Sequence, residues 1–236
     1  VSKIIKTYNI DTIISDNRPG VFSKKVKSIY ISHQINVFTR ERNNLISKIL
    51  TRLHKKVIKK YDVCWVPDNS KSELTGRMSE NVNNLNLNYI GILSRFQNVE
   101  NFTAQQDLKT YEIVAIISGP ETQRSIFEKI IIEKLLEENR KSLIIRGLPK
   151  DSKCVENKDN IDFLNHCSDS EFFHYISNAK IIICRSGYSS IMDMLVFNKN
   201  VKIIPTPGQP EQEYLAKRLN NKYNFISLQQ EDLKNI

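Results

Sequence analysis

Two short apolar runs, 181–184 and 201–204, each end abruptly in a polar turn, and each turn opens a segment of helical period. The first turn is Arg185-Ser186-Gly187, and the helix that follows carries Asp193 in its second turn. The second is Pro205-Thr206-Pro207-Gly208-Gln209, leading into Pro210-Glu211-Gln212-Glu213-Tyr214. Uninterrupted apolar runs of this length fit strands buried on both faces of a parallel sheet. Such strands do not need Arg-Ser-Gly or Gly-Gln-Pro-Glu-Gln-Glu at their exits. Open α/β sheets bind ligands at the carboxyl ends of their strands, where both turns lie.

The same alternation extends over the second half of the chain. The pattern predicts strands over 111–117, 142–146, 180–184, 201–204 and 225–226, and helices over 121–139, 170–178, 189–197 and 211–219, with Ser168 or Ser170 as a cap. A further apolar piece lies at 161–164, and 231–236 ends in an apparent helix. Upstream, the tail of a helix (1–8) leads to strands at 12–15, 28–32 and 62–66. Between the last two lies a helix over 42–60, with apolar residues at 45, 46, 49, 50, 53, 57 and 58 set among basic ones. The Asn-rich stretch 69–88 reads as a long loop. The expected fold is α/β, with parallel sheets built from βαβ units. Its parts are a first domain over 1–88, a linker and domain entry over 89–110, and a second domain over 111–236. A chain that starts at Val1 and stops inside a helix is expected to be a fragment.

At 236 residues and 40% hydrophobic content, two ordinary domains with real cores are possible. The net charge of +9 suggests an anionic partner, or else a lysine-rich solvated surface. No arginine block interleaved with aromatics marks a nucleic-acid groove, so no nucleic acid is expected. Cys64, Cys154, Cys167 and Cys184 form no C-x-x-C pair, which argues against disulfides and zinc and for a reducing, cytoplasmic setting. No metal is expected.

Ser118-Gly119-Pro120 follows a strand and opens a helix: Gly119 permits a tight turn, Pro120 suits the first helical position, and Arg124 is placed to meet a phosphate. An ordinary strand–helix turn with a surface arginine fits equally. Arg185-Ser186-Gly187-Tyr188-Ser189-Ser190 is a second anion-accepting helix start, and Asp193 suits the two hydroxyls of a ribose, or simply favours a helix N-terminal half. Gln209, Gln212 and Glu213 offer amides and carboxylates to sugar hydroxyls, or merely cap a helix.

Cys184-Arg185-Ser186-Gly187, Asp193 and the segment 205–214 resemble the donor half of glycosyltransferase family 28, whose best-known members are the MurG-type N-acetylglucosaminyltransferases. The wording SDNRPG (15–20), SHQI (32–35), WVPD (65–68), GILSRF (91–96) and SGPETQR (118–124) resembles uncharacterised Bacteroidota-type members. The resemblance implies a GT-B architecture with the active site between two Rossmann-like domains: an incomplete acceptor-side domain over 1–88 and a nucleotide-sugar-binding domain over 111–236. It implies that Arg185, Ser186, Gly187, Tyr188 and Ser189 hold the diphosphate, Asp193 the ribose, and Gln212 and Glu213 the donor sugar. The uracil is expected near 167–171, with Arg95, Ser118 and Gly119 close to the phosphates. Asp16, Asn17, His33 and Gln34 are expected on the acceptor side, with His33 a candidate general base.

There are departures: the family's glycine-rich turn is SGPETQR here, Asp193 stands for the usual Glu, and the family's first strand–loop–helix is absent. The implied reaction is inverting, metal-independent transfer of a hexosamine or other hexose from a UDP-sugar, UDP-GlcNAc in the MurG type, to a glycan or lipid-linked cell-envelope acceptor. The UDP-sugar is a co-substrate and no cofactor is expected. The basic helix at 42–60 would touch the inner face of the plasma membrane. Two rivals stay open: a UDP-sugar epimerase or hydrolase on the same scaffold, and a non-catalytic accessory subunit that binds nucleotide sugars.

Overall fold

The computed structural model describes residues 1–39, 44–80, 84–98, 102, 108–150 and 156–235. The chain divides into two compact units, Val1–Leu93 and Ser94–Ile236.

The first unit contains α1 (Ser2–Tyr8), β1 (Thr12–Asp16), β2 (Lys27–Ile31), α2 (Asn44–Ile58), β3 (Val63–Val66), a 3-10 turn (Gly76–Met78) and β4 (Leu87–Tyr89). The strands form one parallel sheet in the order β1-β2-β3-β4. Its core joins Tyr30, Ile35, Ile58, Tyr61, Cys64 and Val66. The Asn-rich stretch is not wholly loop, because Leu87–Tyr89 pairs with β3, Cys64 opposite Leu87. A buried carboxylate organises what precedes it. Asp68 Oδ1 accepts from the Asn69 N–H at 2.7 Å, and Oδ2 from the Thr75 N–H at 2.7 Å and the Thr75 hydroxyl at 2.6 Å. Burying this charge is tolerable because donors surround it.

The second unit contains β5 (Ile113–Ile116), α3 (Gln123–Glu138), β6 (Ser142–Ile145), β7 (Ile161–Leu164), α4 (Asp169–Asn178), β8 (Ile181–Arg185), α5 (Tyr188–Phe197), β9 (Asn200–Ile204), α6 (Pro210–Leu219), β10 (Phe225–Ser227) and a 3-10 segment (Glu231–Asn235). The six strands are parallel, in the order β10-β9-β8-β5-β6-β7. Both units are Rossmann-like, of the GT-B type. β5 is central: Ile113, Val114 and Ala115 are buried, which explains why its sequence is apolar without alternation. From β5 the chain runs outward through β6 and β7, then returns to lay β8 on the other side of β5. The order therefore reverses between β5 and β8, and ligands of open α/β sheets bind at the carboxyl ends of strands flanking such a reversal.

Local chemistry sets the turns. Ser168 and Glu171 form a reciprocal capping box that starts α4. Gly147, after β6, lies at φ +66, and a Cβ there would stand 2.6 Å from the Ile117 carbonyl oxygen, so only glycine lets these two backbones approach. Pro120 is not the first helical residue, as the sequence suggested. α3 begins at Gln123, and the Pro120 carbonyl accepts from the Arg124 N–H at 3.0 Å, so the turn after β5 is longer by nearly one helical turn.

Candidate functional site

The reversal in strand order brings two turns side by side. Ile116, the last residue of β5, pairs with Cys184 of β8. Ser118-Gly119 follows the first strand and Ser186-Gly187 the second, with Gly119 at φ +107 and no atom within 4 Å of where its Cβ would lie. Gly187 is the N-cap of α5 and supplies no side-chain cap, so the first N–H groups of that helix are left to other partners. Ser189 in the first turn is exposed. The result is a helix N-terminus without a side-chain cap, whose positive end is suited to an anion.

Asp193 stands five residues beyond the start of α5, which at the helical rise is roughly 7 Å along the axis. That is about the span from the diphosphate to the ribose diol of a nucleoside diphosphate. The Ser94 hydroxyl donates to Asp193 Oδ1 at 2.6 Å, and Arg95 Nε lies 3.5 Å from Oδ2. Arg95 also pairs with Asp169, the first residue of α4, and its guanidinium lies over Phe96 (4.6 Å) and Phe172 (4.9 Å). Arg95 is thus gathered with Asp193 and the start of α4.

Burial pushes the Asp193 carboxyl above the ordinary carboxylate range, while Ser94 and Arg95 pull it down less strongly. The folded state therefore holds this proton more tightly than the unfolded chain does. Acidification protonates Asp193 without cost to the free fold and weakens it as a hydroxyl acceptor. UDP affinity is expected to fall as the pH is lowered, with the Asp193 contribution lost at a higher pH than an ordinary aspartate would require, so the fall should be smaller in Asp193→Ala. Calorimetric titrations across a pH series with both proteins check this; the same pH dependence in both would dissociate Asp193 from the ligand.

Two residues expected to touch phosphate are occupied inside the fold. Arg124 is buried, with Nε on Glu121 (2.7 Å), one NH2 group on the Arg146 carbonyl (3.0 Å) and the other on Glu128 (2.9 Å). Glu128 also accepts from Arg146, which reaches Asn165 at 2.7 Å. The inward face of α3 turns Arg124 into a brace between α3 and β6. Arg185, only 1% exposed, donates to the Pro205 carbonyl (3.1 Å), the Gln123 carbonyl (3.3 Å) and the Gln230 side chain (2.7 Å), above the Phe127 ring at 3.9 Å. Among the described residues no carboxylate pairs with it, and desolvation lowers its pKa to about 10. It fastens the ends of β8 and β9 and the start of α3.

Other expected residues are placed as follows. Ser186 is buried, its hydroxyl on the Gln212 carbonyl at 2.9 Å, and Tyr188 is buried. Gln212 folds back: its carbonyl oxygen accepts from the Thr206 N–H (2.9 Å) and its amide donates to Gln209 (2.7 Å). Glu213 accepts from the Gly208 N–H at 2.8 Å. Gln209, Gln212 and Glu213 therefore hold the turn after β9. In the first unit, Asp16, Asn17, His33 and Gln34 all lie at the carboxyl edge of its sheet. Asn17 Oδ1 accepts from the Tyr30 hydroxyl at 3.1 Å, and His33 is half-buried. Cys64, Cys167 and Cys184 are free thiols, and Cys154 lies outside the described residues. No group of three or more His, Cys, Asp or Glu placed to hold a metal occurs among the described residues. Sequence reasoning missed Ser94 and Asp169 as partners in this site; Ser94 stands 99 positions from Asp193, beyond the reach of any local pattern.

A Methanosarcina mazei protein named "Uncharacterized glycosyltransferase" is 27% identical over 228 residues, covering 90% of this chain and 59% of the relative. The chain thus spans about three fifths of that relative's length. The relative is archaeal, whereas the sequence wording resembled a Bacteroidota subgroup. Among solved structures, the glycotransferase of kitacinnamycin superposes over 100% of this chain and 67% of its own, with a TM-score of 0.61 at 12% identity. The Methanocaldococcus jannaschii UDP-GlcNAc 2-epimerase, solved with UDP-GlcNAc and UDP, covers 97% of this chain and 67% of its own, with a TM-score of 0.58 at 12% identity. At such identities the likeness shows the fold alone. The glycosyltransferase family 28 C-terminal domain matches residues 113–236, more than half of the chain, so this chain belongs to glycosyltransferase family 28.

Proposed function

We propose that this chain carries the donor-binding part of a UDP-sugar-dependent glycosyltransferase. It would move a hexosamine, N-acetylglucosamine foremost, or another hexose to an acceptor hydroxyl, with inversion and without a metal ion. One observation carries the reading: at the β5–β8 reversal a single helix offers an uncapped N-terminus and, roughly 7 Å along, a half-buried carboxylate. An anion and a diol at that separation describe a nucleoside diphosphate. The acceptor oxygen attacks the anomeric carbon from the side opposite the diphosphate, and the bond from that carbon to the diphosphate oxygen breaks. The electron pair stays on the diphosphate and the acceptor proton passes to a base. The N–H groups of Ser189 and Ser190 meet the developing charge, a role that metal ions fill elsewhere. Ser118-Gly119 would border the same diphosphate. Arg185 and Arg124 act through the turns they hold.

The acceptor would be a glycan or a lipid-linked sugar, met at the cytoplasmic face of the membrane. Asp16, Asn17, His33 and Gln34 are its candidate contacts, and His33 the candidate base. The likeness to the epimerase supports a second reading, turnover of a UDP-sugar with no acceptor. A third is an accessory subunit that binds without turnover. Incubating the intact protein with UDP-GlcNAc, with and without a panel of glycan and polyprenyl-linked acceptors, separates the three. Acceptor-dependent release of UDP supports transfer. Consumption of the sugar nucleotide without acceptor supports the epimerase or hydrolase. Binding with no turnover under either condition supports the accessory subunit and overturns the enzyme reading.

A further inference from the structure

Among the described residues of the second unit two arginines are buried, and only one of them is paired. Arg124 has Glu121 and Glu128. Arg185 meets only neutral groups: the carbonyls of Pro205 and Gln123, the side-chain oxygen of Gln230 and the Phe127 ring. Its Nε has no hydrogen-bond partner among the described residues. The acids on either side of Phe127 in the sequence, Glu121 and Glu128, are both held by Arg124. The segment that supplies Gln230 carries Glu231 and Asp232 at the next two positions, yet both are exposed, and the neutral amide is the group that reaches Arg185. Leu233, three residues on, is buried in the core cluster that includes Phe127 and anchors this segment.

A buried cation without a counter-charge costs a fold stability. Arg185 directly precedes Ser186-Gly187, and Gly187 is the N-cap of α5. Its carbonyl partners lie in the turn after β9 and at the start of α3. Its charge therefore adds to the positive end of α5 from a poorly solvated place, where a field is weakly screened. Burial lowers its pKa only to about 10, so it stays charged near neutral pH. A carboxylate at position 230 would satisfy the guanidinium and cancel that field. Glutamine satisfies one N–H group and leaves the charge. We propose that Gln230 is a positioning residue for the donor: it holds Arg185 in place while leaving its charge uncompensated, so that the donor diphosphate serves as the missing counter-charge. The proposal rests on the donor-site reading above and adds to it a residue that acts through Arg185 alone.

The test is calorimetric titration of the intact protein with UDP and with UMP near neutral pH, beside thermal melts, for the wild type, Gln230→Glu and Gln230→Leu. Gln230→Glu gives Arg185 a carboxylate, so its melting temperature should rise. Its UDP affinity should fall about tenfold, the effect of one unit charge roughly 10 Å away at an effective dielectric of about 20. The loss for UMP, which carries less charge, should be smaller. Gln230→Leu removes an acceptor and adds no charge, so it should melt below the wild type while losing less UDP affinity than Gln230→Glu. A merely structural role predicts the reverse order of affinities, because glutamate still accepts from Arg185 and leucine does not. UDP affinity in Gln230→Glu equal to that of the wild type would overturn the proposal and leave the donor site standing. So would a loss as large for UMP as for UDP, or a lower melting temperature in Gln230→Glu. A folded wild type that binds no UDP would overturn the donor site itself, and the proposal with it.

Discussion

Replacing Glu128 with alanine is expected to destabilise the second unit by about 3–5 kcal/mol. Among the described residues Glu128 is the one carboxylate shared by Arg124 and Arg146, and all three side chains are largely buried. Its removal leaves two cations facing each other in a poorly solvated space. Arg124 retains Glu121, but that carboxylate is mostly exposed and screened. Glutamine at 128 should cost less, since it keeps an acceptor for one guanidinium. The only tryptophan, Trp65, lies in β3 of the first unit. The loss should therefore appear in urea unfolding followed by far-UV circular dichroism and be muted in tryptophan fluorescence. A loss below about 1 kcal/mol would mean that the three charges are far better hydrated than their burial implies.

Phe96→Ala is expected to cost a similar amount, about 3–5 kcal/mol, and to weaken nucleotide binding as well. Phe96 is 0% exposed and stacks on Phe172 at 5.3 Å, with Phe102 at 5.4 Å and Phe197 at 5.2 Å. These contacts tie the residues just after Leu93 to α4 and α5. Phe96 is also half of the aromatic bed on which Arg95 lies, and Ser94 and Arg95 grip Asp193. Alanine thus opens a cavity and releases the two residues that aim the carboxylate. Stability and UDP affinity should fall together. Lost stability with intact affinity would show that Ser94 and Arg95 hold their places without the ring.

How much of this was legible depends on the range of the interaction. Ile113–Ile116 and Ile181–Arg185 announce themselves because both faces of a central parallel strand are buried, and the turns that end them follow from strand length. The parallel Rossmann-like fold and the position of Asp193 on α5 could be read in this way. Side-chain direction could not. Arg124 and Glu128 are four apart, a readable helical pair, but nothing local says that the pair points inward onto Arg146. Arg185 closes a strand and could face solvent or core; its burial depends on Pro205, Gln123 and Gln230, which come from three distant segments. β4 was hidden because Leu87–Tyr89 is only three residues long and is made a strand by pairing with β3, not by its own pattern. In α2 the periodicity was plain, but which face turned to the protein was not. Hydrogen bonds of Ser47, Thr51 and His54 decide it, against the usual preference.

The central claim is that α5 and the turn before it grip a nucleoside diphosphate, with Asp193 on the ribose. Calorimetric titration of UDP into the wild type and into Asp193→Ala, with ADP as a control, tests it most directly. The account predicts selective UDP binding by the wild type and a loss of about 10- to 100-fold in the variant, the scale of a hydrogen bond to a charged group. Equal UDP binding by both proteins, or no nucleotide binding by a folded wild type, would contradict it.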